Sequence, residues 1–173
     1  MKARDELVLA IDCGTQSVRA LLFDLAGNLV GRAQEGLNDY QSPYPGWHQH
    51  NGEAFWQAAA RCCRQLWQQD EAWRAQLRGV AVTTQRGSIV PVDADGNCLY
   101  PVITWLDQRR ASAVPAVKPW WALAFGLIGE KSTVHAFQRE ADVNWLAEHE
   151  PEIHQRTHKY LLVSGLLHQR LTG

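Results

Sequence analysis

Three apolar stretches open the chain, and the short breaks between them carry turn-forming residues. Leu7 to Ile11 is a continuous apolar run that ends against Asp12, the pattern of a buried strand with a polar end. Val18 to Phe23 follows Gly14-Thr15-Gln16-Ser17, and Leu29 to Ala33 follows Asp24-Leu25-Ala26-Gly27-Asn28. Glycine-containing connections this short join antiparallel strands, so the opening of the chain predicts a three-stranded meander. Residues 38 to 51 hold Pro43, Pro45 and Gly46 and predict a loop. From Asn51 the period becomes helical. Asn51 is placed to cap, Glu53 lies in the first turn, and Phe55, Ala59, Cys62, Cys63 and Leu66 recur on one face, predicting a helix over 52–69.

Further on, Gly79 precedes a strand pattern at Val80 to Thr84. Ile89 to Val92 and Cys98 to Ile103 flank Asp93-Ala94-Asp95-Gly96-Asn97, a second hairpin signal. Beyond Asp107 the pattern is mainly helical, with helices over 132–148 and 164–171 and a last strand at Lys159 to Val163. Strands that meander first and then alternate with helices predict an α/β fold built on a mixed sheet. No repeat of solenoid period is present. Trp56, Trp67 and Trp145 fit core packing, whereas Trp120 and Trp121 fit an edge or an interface.

Composition narrows the classes. The chain has 173 residues, 46% apolar and 20% charged, which excludes disorder, collagen-like repeats and a long coiled coil. Seventeen Lys and Arg against eighteen Asp and Glu leave a net charge of −1, so neither nucleic acid nor an anionic membrane is an expected partner. The four cysteines form no Cys-x-x-Cys pair. After the charged start from Met1 to Glu6, the apolar run is too short for a signal peptide. Pro119 to Gly129 is far shorter than the ~20 residues that span a bilayer. A cytoplasmic protein with reduced thiols is expected. Leu171-Thr172-Gly173 comes directly after an apolar helical segment, which gives the expectation of a piece of something longer.

The densest local chemistry is Asp12-Cys13-Gly14-Thr15-Gln16-Ser17-Val18-Arg19. A tight turn between strands presents N–H groups, Thr15 and Ser17 add hydroxyls, Gly14 permits close approach, and Arg19 adds positive charge. Asp12 is suited to hold Mg²⁺ through water. The same residues also read as a plain hairpin turn with a surface Asp and Arg. Gly126-Leu-Ile-Gly129-Glu130-Lys131-Ser132-Thr133 is not a P-loop, because Glu130 separates Gly129 from Lys131. It predicts a helix end at Gly129 with Ser132 or Thr133 capping the next helix. Asp93-x-Asp95-x-Asn97 lacks the glycine and the closing glutamate of a Ca²⁺ loop. His154 with His158, and His48 with His50, lack a third ligand at metal-binding spacing. Thr83-Thr84-Gln85-Arg86-Gly87-Ser88 places Gln and Arg at a strand end, which suits hydroxyl recognition. Thr104-Trp105-Leu106-Asp107-Gln108-Arg109-Arg110 sets an indole face beside a carboxylate, equipment for a polyol; it also reads as a helix start capped by Asp107.

In this order, the clusters resemble the N-terminal domain of the FGGY-family carbohydrate kinases. The resemblance rests on Ile11-Asp12-x-Gly14-Thr15-x-Ser17-x-Arg19, Pro45-Gly46-Trp47, Phe55-Trp56, Thr84-Gln85-Arg86 and Ile103-Thr104-Trp105-x-Asp107-x-Arg109. It extends through Asn144-Trp145-Leu146 and Glu150-Pro151-Glu152 to Leu171-Thr172-Gly173. It implies an actin-like, ribonuclease-H-like fold in which ATP lies between two domains and phosphorylates a sugar or polyol hydroxyl. Asp12, Gly14, Thr15, Gln16, Ser17 and Arg19 would face the nucleotide phosphates, with Asp12 organising Mg²⁺. Arg86 and Trp105 would contact the substrate, supported by Gln85 and Asp107. Glycerol kinases carry Glu after the Gln-Arg pair, where this chain has Gly87, and the Met-His pair of xylulose kinases is absent, so neither substrate is favoured. The general base and the adenine-binding domain would lie beyond residue 173, leaving residues 1–173 as the sugar-side portion and inactive alone. A homo-oligomer is compatible with this reading. A non-kinase phosphotransferase or hydrolase of the actin-like superfamily, and a non-catalytic interaction module, are the alternatives.

Overall fold

The computed structural model describes residues 6–38 and 40–173. The charged start at Met1–Asp5 and Asp39 of the expected loop lie outside the described residues. β1 (Leu7–Cys13), β2 (Ser17–Asp24) and β3 (Leu29–Gly36) form the meander, and β6 (Leu77–Thr84) joins β1 in parallel, giving the order β3-β2-β1-β6. The strand period of two decides what this sheet buries. Leu7, Leu9, Ile11 and Cys13 alternate inward on β1, joined by Val18, Ala20 and Leu22 from β2. α1 (Gly52–Gln69) covers that face with Phe55, Ala58, Ala59, Cys62 and Leu66, and Asn51 caps it by accepting from Glu53 N–H.

A second, antiparallel sheet has the order β4-β5-β8-β7-β9, from β4 (Tyr40–Gln41), β5 (Gln49–His50), β7 (Ile89–Val92), β8 (Val102–Ile103) and β9 (Lys159–Leu162). Two of these strands come from the expected loop at 38–51; the Pro43–Gly46 turn between them lets them pair. The strand expected over 98–103 is mostly irregular, because Pro101 has no N–H for a ladder; Cys98 makes one bridge to Val92. α2 (Trp73–Gln76) is a single short turn before β6.

The helical half also departs from the pattern. No helix starts at Asp107: residues 108–118 are irregular, and α3 (Pro119–Leu127) follows. Gly129, at φ 79°, closes α3, with Glu130 N–H donating to Phe125 O at 2.8 Å. α4 (Lys131–Glu140) already contains Ser132 and Thr133, so neither caps it. The helix expected over 132–148 breaks at Ala141 into α4 and α5 (Asp142–His149), where the Asn144 side chain takes the Gln138 carbonyl at 2.7 Å and competes with the helical ladder. α6 (Pro151–Arg156) and α7 (Val163–Thr172) complete the chain. Among the described residues, no helix is long and apolar enough to cross a membrane.

Candidate active site

The first hairpin fixes one end of the site. Its register sets Asp12 opposite Arg19, and Arg19 Nη1 lies 2.9 Å from Asp12 Oδ2 in a half-exposed ion pair. Gly14 N–H donates to Ser17 O at 2.9 Å and closes the turn, while Gln16 O accepts from Leu37 N–H at 2.8 Å. The Thr15 and Gln16 N–H groups at the tip have no backbone acceptor among the described residues. Unpaired N–H groups in a tight turn suit an anion.

β6 brings the second component. Parallel pairing of Cys13 with Thr84 delivers Gln85 beside the turn, and Gln85 N–H donates to Cys13 O at 2.8 Å. Thr15 Oγ1 donates to Gln85 Oε1 at 2.7 Å and accepts from the Trp105 indole N–H at 3.1 Å. One hydroxyl therefore ties together three segments far apart in sequence. Gln85 Nε2 is buried without an acceptor among the described residues, a donor awaiting a partner. Ser88 Oγ accepts from Trp105 N–H at 3.2 Å, and Gly87 turns the chain at φ +66°, where an added Cβ would meet Trp105 Cβ at 3.4 Å. A glutamate at that position would be strained. Trp105 leaves 56% of its surface exposed, so its ring is available to a ligand.

Asp107 forms the floor. Its Oδ1 accepts from Arg109 N–H at 2.9 Å and Nε–H at 2.8 Å; its Oδ2 accepts from Arg109 Nη2 at 2.8 Å and from His48 N–H at 2.7 Å. The Arg109 guanidinium packs against Trp47 and Trp145, 4.2 Å and 4.6 Å from their ring centroids, and the two rings meet edge to face beside it. Both charged side chains are almost fully buried, so Asp107 supports the site from beneath. Above this floor is a polar cleft of about 490 Å³, with Gly87, Trp105, Asp107, Arg109, Glu140 and Asp142 on its walls. Burial pushes the Asp142 carboxyl up to about 7; Asp107 adds to the rise and Arg109 opposes it.

The structure thus brings Thr15, Gln85 and Trp105 into contact and pairs Asp12 with Arg19. Arg86 points into solvent and makes no hydrogen bond or ion pair among the described residues. Sequence reasoning missed Ser88, Glu140 and Asp142 as site residues. An acid opening a helix reads as an ordinary charge at its positive end; only the break at Ala141 shows which way Asp142 goes. Among the described residues no three His, Cys, Asp or Glu side chains cluster as a metal site. Mg²⁺ bound to phosphates needs only one or two protein carboxylates and keeps its waters, so Asp12 fits that role.

A family profile described as the FGGY family of carbohydrate kinases, N-terminal domain, matches residues 7–173. The chain belongs to this family. It is 34% identical over 173 residues to the L-fuculokinase of Escherichia coli strain K12, a match covering 98% of this chain and 36% of that protein. It is 30% identical to the glycerol kinase of Thermococcus gammatolerans, covering 98% of this chain and 35% of the other. A crystal structure of a xylulose kinase from Brucella ovis superposes with a TM-score of 0.76 at 25% identity, covering 94% of this chain and 34% of that one. The mixed sheet and its helices are thus those of the actin-like sugar kinases. The chain spans about a third of the length of the curated relatives it matches.

Proposed function

We propose that this chain is the sugar-side portion of an ATP-dependent carbohydrate kinase, with the transferred phosphoryl group coming to the Asp12–Arg19 turn and the acceptor hydroxyl to the cleft beneath Trp105. The observation that carries this reading is the Thr15 hydroxyl, which couples the anion-receptive turn to Trp105 and Gln85. A neutral ketose of the L-fuculose kind is the first candidate substrate: the E. coli L-fuculokinase is 34% identical, and Gly87 stands in a backbone conformation unsuited to glutamate.

The chemistry of this chain is positioning and charge placement. Thr15 and Gln16 N–H groups receive phosphate oxygens, Arg19 contributes positive charge, and the exposed Trp105 face packs on sugar C–H groups. Gln85 Nε2 supplies a donor beside them. Mg²⁺ held by Asp12 through water would neutralise phosphate charge. The general base and the adenine pocket belong to a part of the kinase outside these 173 residues.

The test is a division of effects, read by calorimetry on the chain. Trp105→Ala should weaken L-fuculose binding about tenfold or more and leave Mg·ATP binding within twofold; Asp12→Asn should do the reverse. Equal weakening of both ligands by Trp105→Ala would show that the indole only packs the structure.

A further inference from the structure

Of the charged side chains on the cleft walls, Asp142 alone makes no hydrogen bond or ion pair among the described residues, and Arg109, which opposes its burial electrostatically, is committed to Asp107. The Asp107 oxygens are filled by Arg109 and His48 N–H, and the Arg109 fork is spent on Asp107. Arg110 Nη2 pairs with Glu140 Oε1 at 2.9 Å. Thr104 Oγ1, also on the wall, donates to the His48 carbonyl at 3.0 Å. No hydrogen bond or ion pair satisfies the Asp142 carboxyl. Its position is built: the Asn144–Gln138 bond breaks the helix at Ala141, and the first residue after the break lines the same cleft as Trp105. Partly desolvated and unpartnered, such a carboxyl is the arrangement of a group that meets its partner in a ligand.

Charge says which ligand. Arg109 cancels Asp107 and Arg110 cancels Glu140, so an ionised Asp142 is the surplus charge of the cleft. A hydroxyl of a neutral sugar offers it a proton to accept in a charge-assisted hydrogen bond, whereas a sugar acid brings a second negative charge into the same confined space.

We infer that Asp142 is a specificity-determining residue that accepts a hydrogen bond from a hydroxyl of a neutral sugar and excludes sugar acids from the cleft. This rests on the reading of the cleft as the sugar site.

The experiment compares L-fuculose with D-gluconate as probes, titrated calorimetrically into the chain and into its Asp142→Asn, Asp142→Ser and Trp105→Ala variants. Asn keeps the shape and removes the charge. Ser is small, suits the start of a helix, and serves if Asn disturbs folding. The chain itself should bind L-fuculose at least tenfold more tightly than D-gluconate. Either Asp142 variant should lose about tenfold in L-fuculose affinity and gain in D-gluconate affinity, narrowing or reversing the preference. A residue that only starts α5 would not move the two sugars in opposite directions. Unchanged affinities in the Asp142 variants, with L-fuculose binding lost in Trp105→Ala, would overturn the role of Asp142 and keep the sugar site. Failure of the unmodified chain to bind either probe would overturn both.

Discussion

Arg109 packs against two indole rings and is held on its edge by Asp107, with only 3% of its side chain exposed and 1% of its partner's. A pair buried this deeply is costly to break, because removing one member leaves the other charged and unpaired; the penalty is about 3–5 kcal/mol. Arg109→Ala should therefore lower stability by about that amount in urea denaturation. Arg109→Lys should recover only part of it, since an ammonium has neither the fork nor the flat face. Full recovery with Lys would mean that charge alone matters here. The spacing Trp105-x-Asp107-x-Arg109 was legible in the sequence, yet its division of labour was not. Asp107 reads as a group placed beside a substrate and Arg109 only as part of the motif, and the fold shows that the hydrogen-bonding capacity of both is consumed internally while Trp105 stays open.

Asp142 lends itself to a second prediction at the same scale. Its carboxyl has the ordinary value of about 3.8 in the unfolded chain, and burial pushes it up to about 7 in the fold. Between those values the folded state binds the extra proton, so this group makes stability fall as pH rises from about 4 to about 7 and constant above. Asp142→Asn should remove that slope and raise Tm at pH 8, by about 2–4 °C for each kcal/mol recovered. A Tm difference between the two proteins that does not change from pH 4 to pH 8 would contradict the assignment of burial as the cause.

At the scale of elements, the two hairpin turns show how far local sequence reaches. Asp24 and Asp93 each accept the N–H groups of residues two and four ahead on Oδ1, and each takes the side-chain amide of the Asn four residues on with Oδ2. Gly27 and Gly96 close both turns at positive φ. These hydrogen bonds hold both carboxyls below the usual carboxylate range. All of this is written within five consecutive residues, and the sequence pattern finds both turns. The break between α4 and α5 is different. It depends on the Asn144 side chain reaching Gln138 and on Trp145 packing against Trp47, and those contacts are invisible to helical periodicity. Packing between elements is likewise hidden at Gly31 on β3. A Cβ there would lie 2.6 Å from the ring of Trp73, the residue that opens α2. Gly31→Ala should cost about 1–3 kcal/mol by overpacking, measured as a shift of the urea midpoint at unchanged slope. A neutral or stabilising result would mean that α2 moves away freely.

For the whole molecule, the parallel register of β1 with β6 is the step that makes a site from separate motifs. It sets the first turn, Gln85 and Trp105 at one end of the sheet, and the second sheet brings His48 and Asp107 beneath them. The motifs and the fold class were legible as an ordered set; the single hydroxyl that joins them was not, because nothing in the sequence says that Thr15 rather than Ser17 faces Trp105. The 173-residue chain should turn over no substrate. A positioned general base contributes roughly 10²–10⁴-fold, and neither that base nor a closing second domain is assigned to these residues. A coupled assay should find no sugar-dependent ADP release. Release that Asp12→Asn abolishes would place the base within this chain.

The most direct test of the central claim follows the indole N–H resonance of Trp105, identified by its loss in Trp105→Phe, in the ¹⁵N-labelled chain. Because that N–H donates to Thr15, it reports on both ends of the site. L-fuculose should shift it in a saturable way, and Mg·ATP should shift it together with the Thr15 and Gln16 amides. A Trp105 signal that stays fixed while L-fuculose is raised to saturation of any other site, or one that answers neither ligand, would contradict the account.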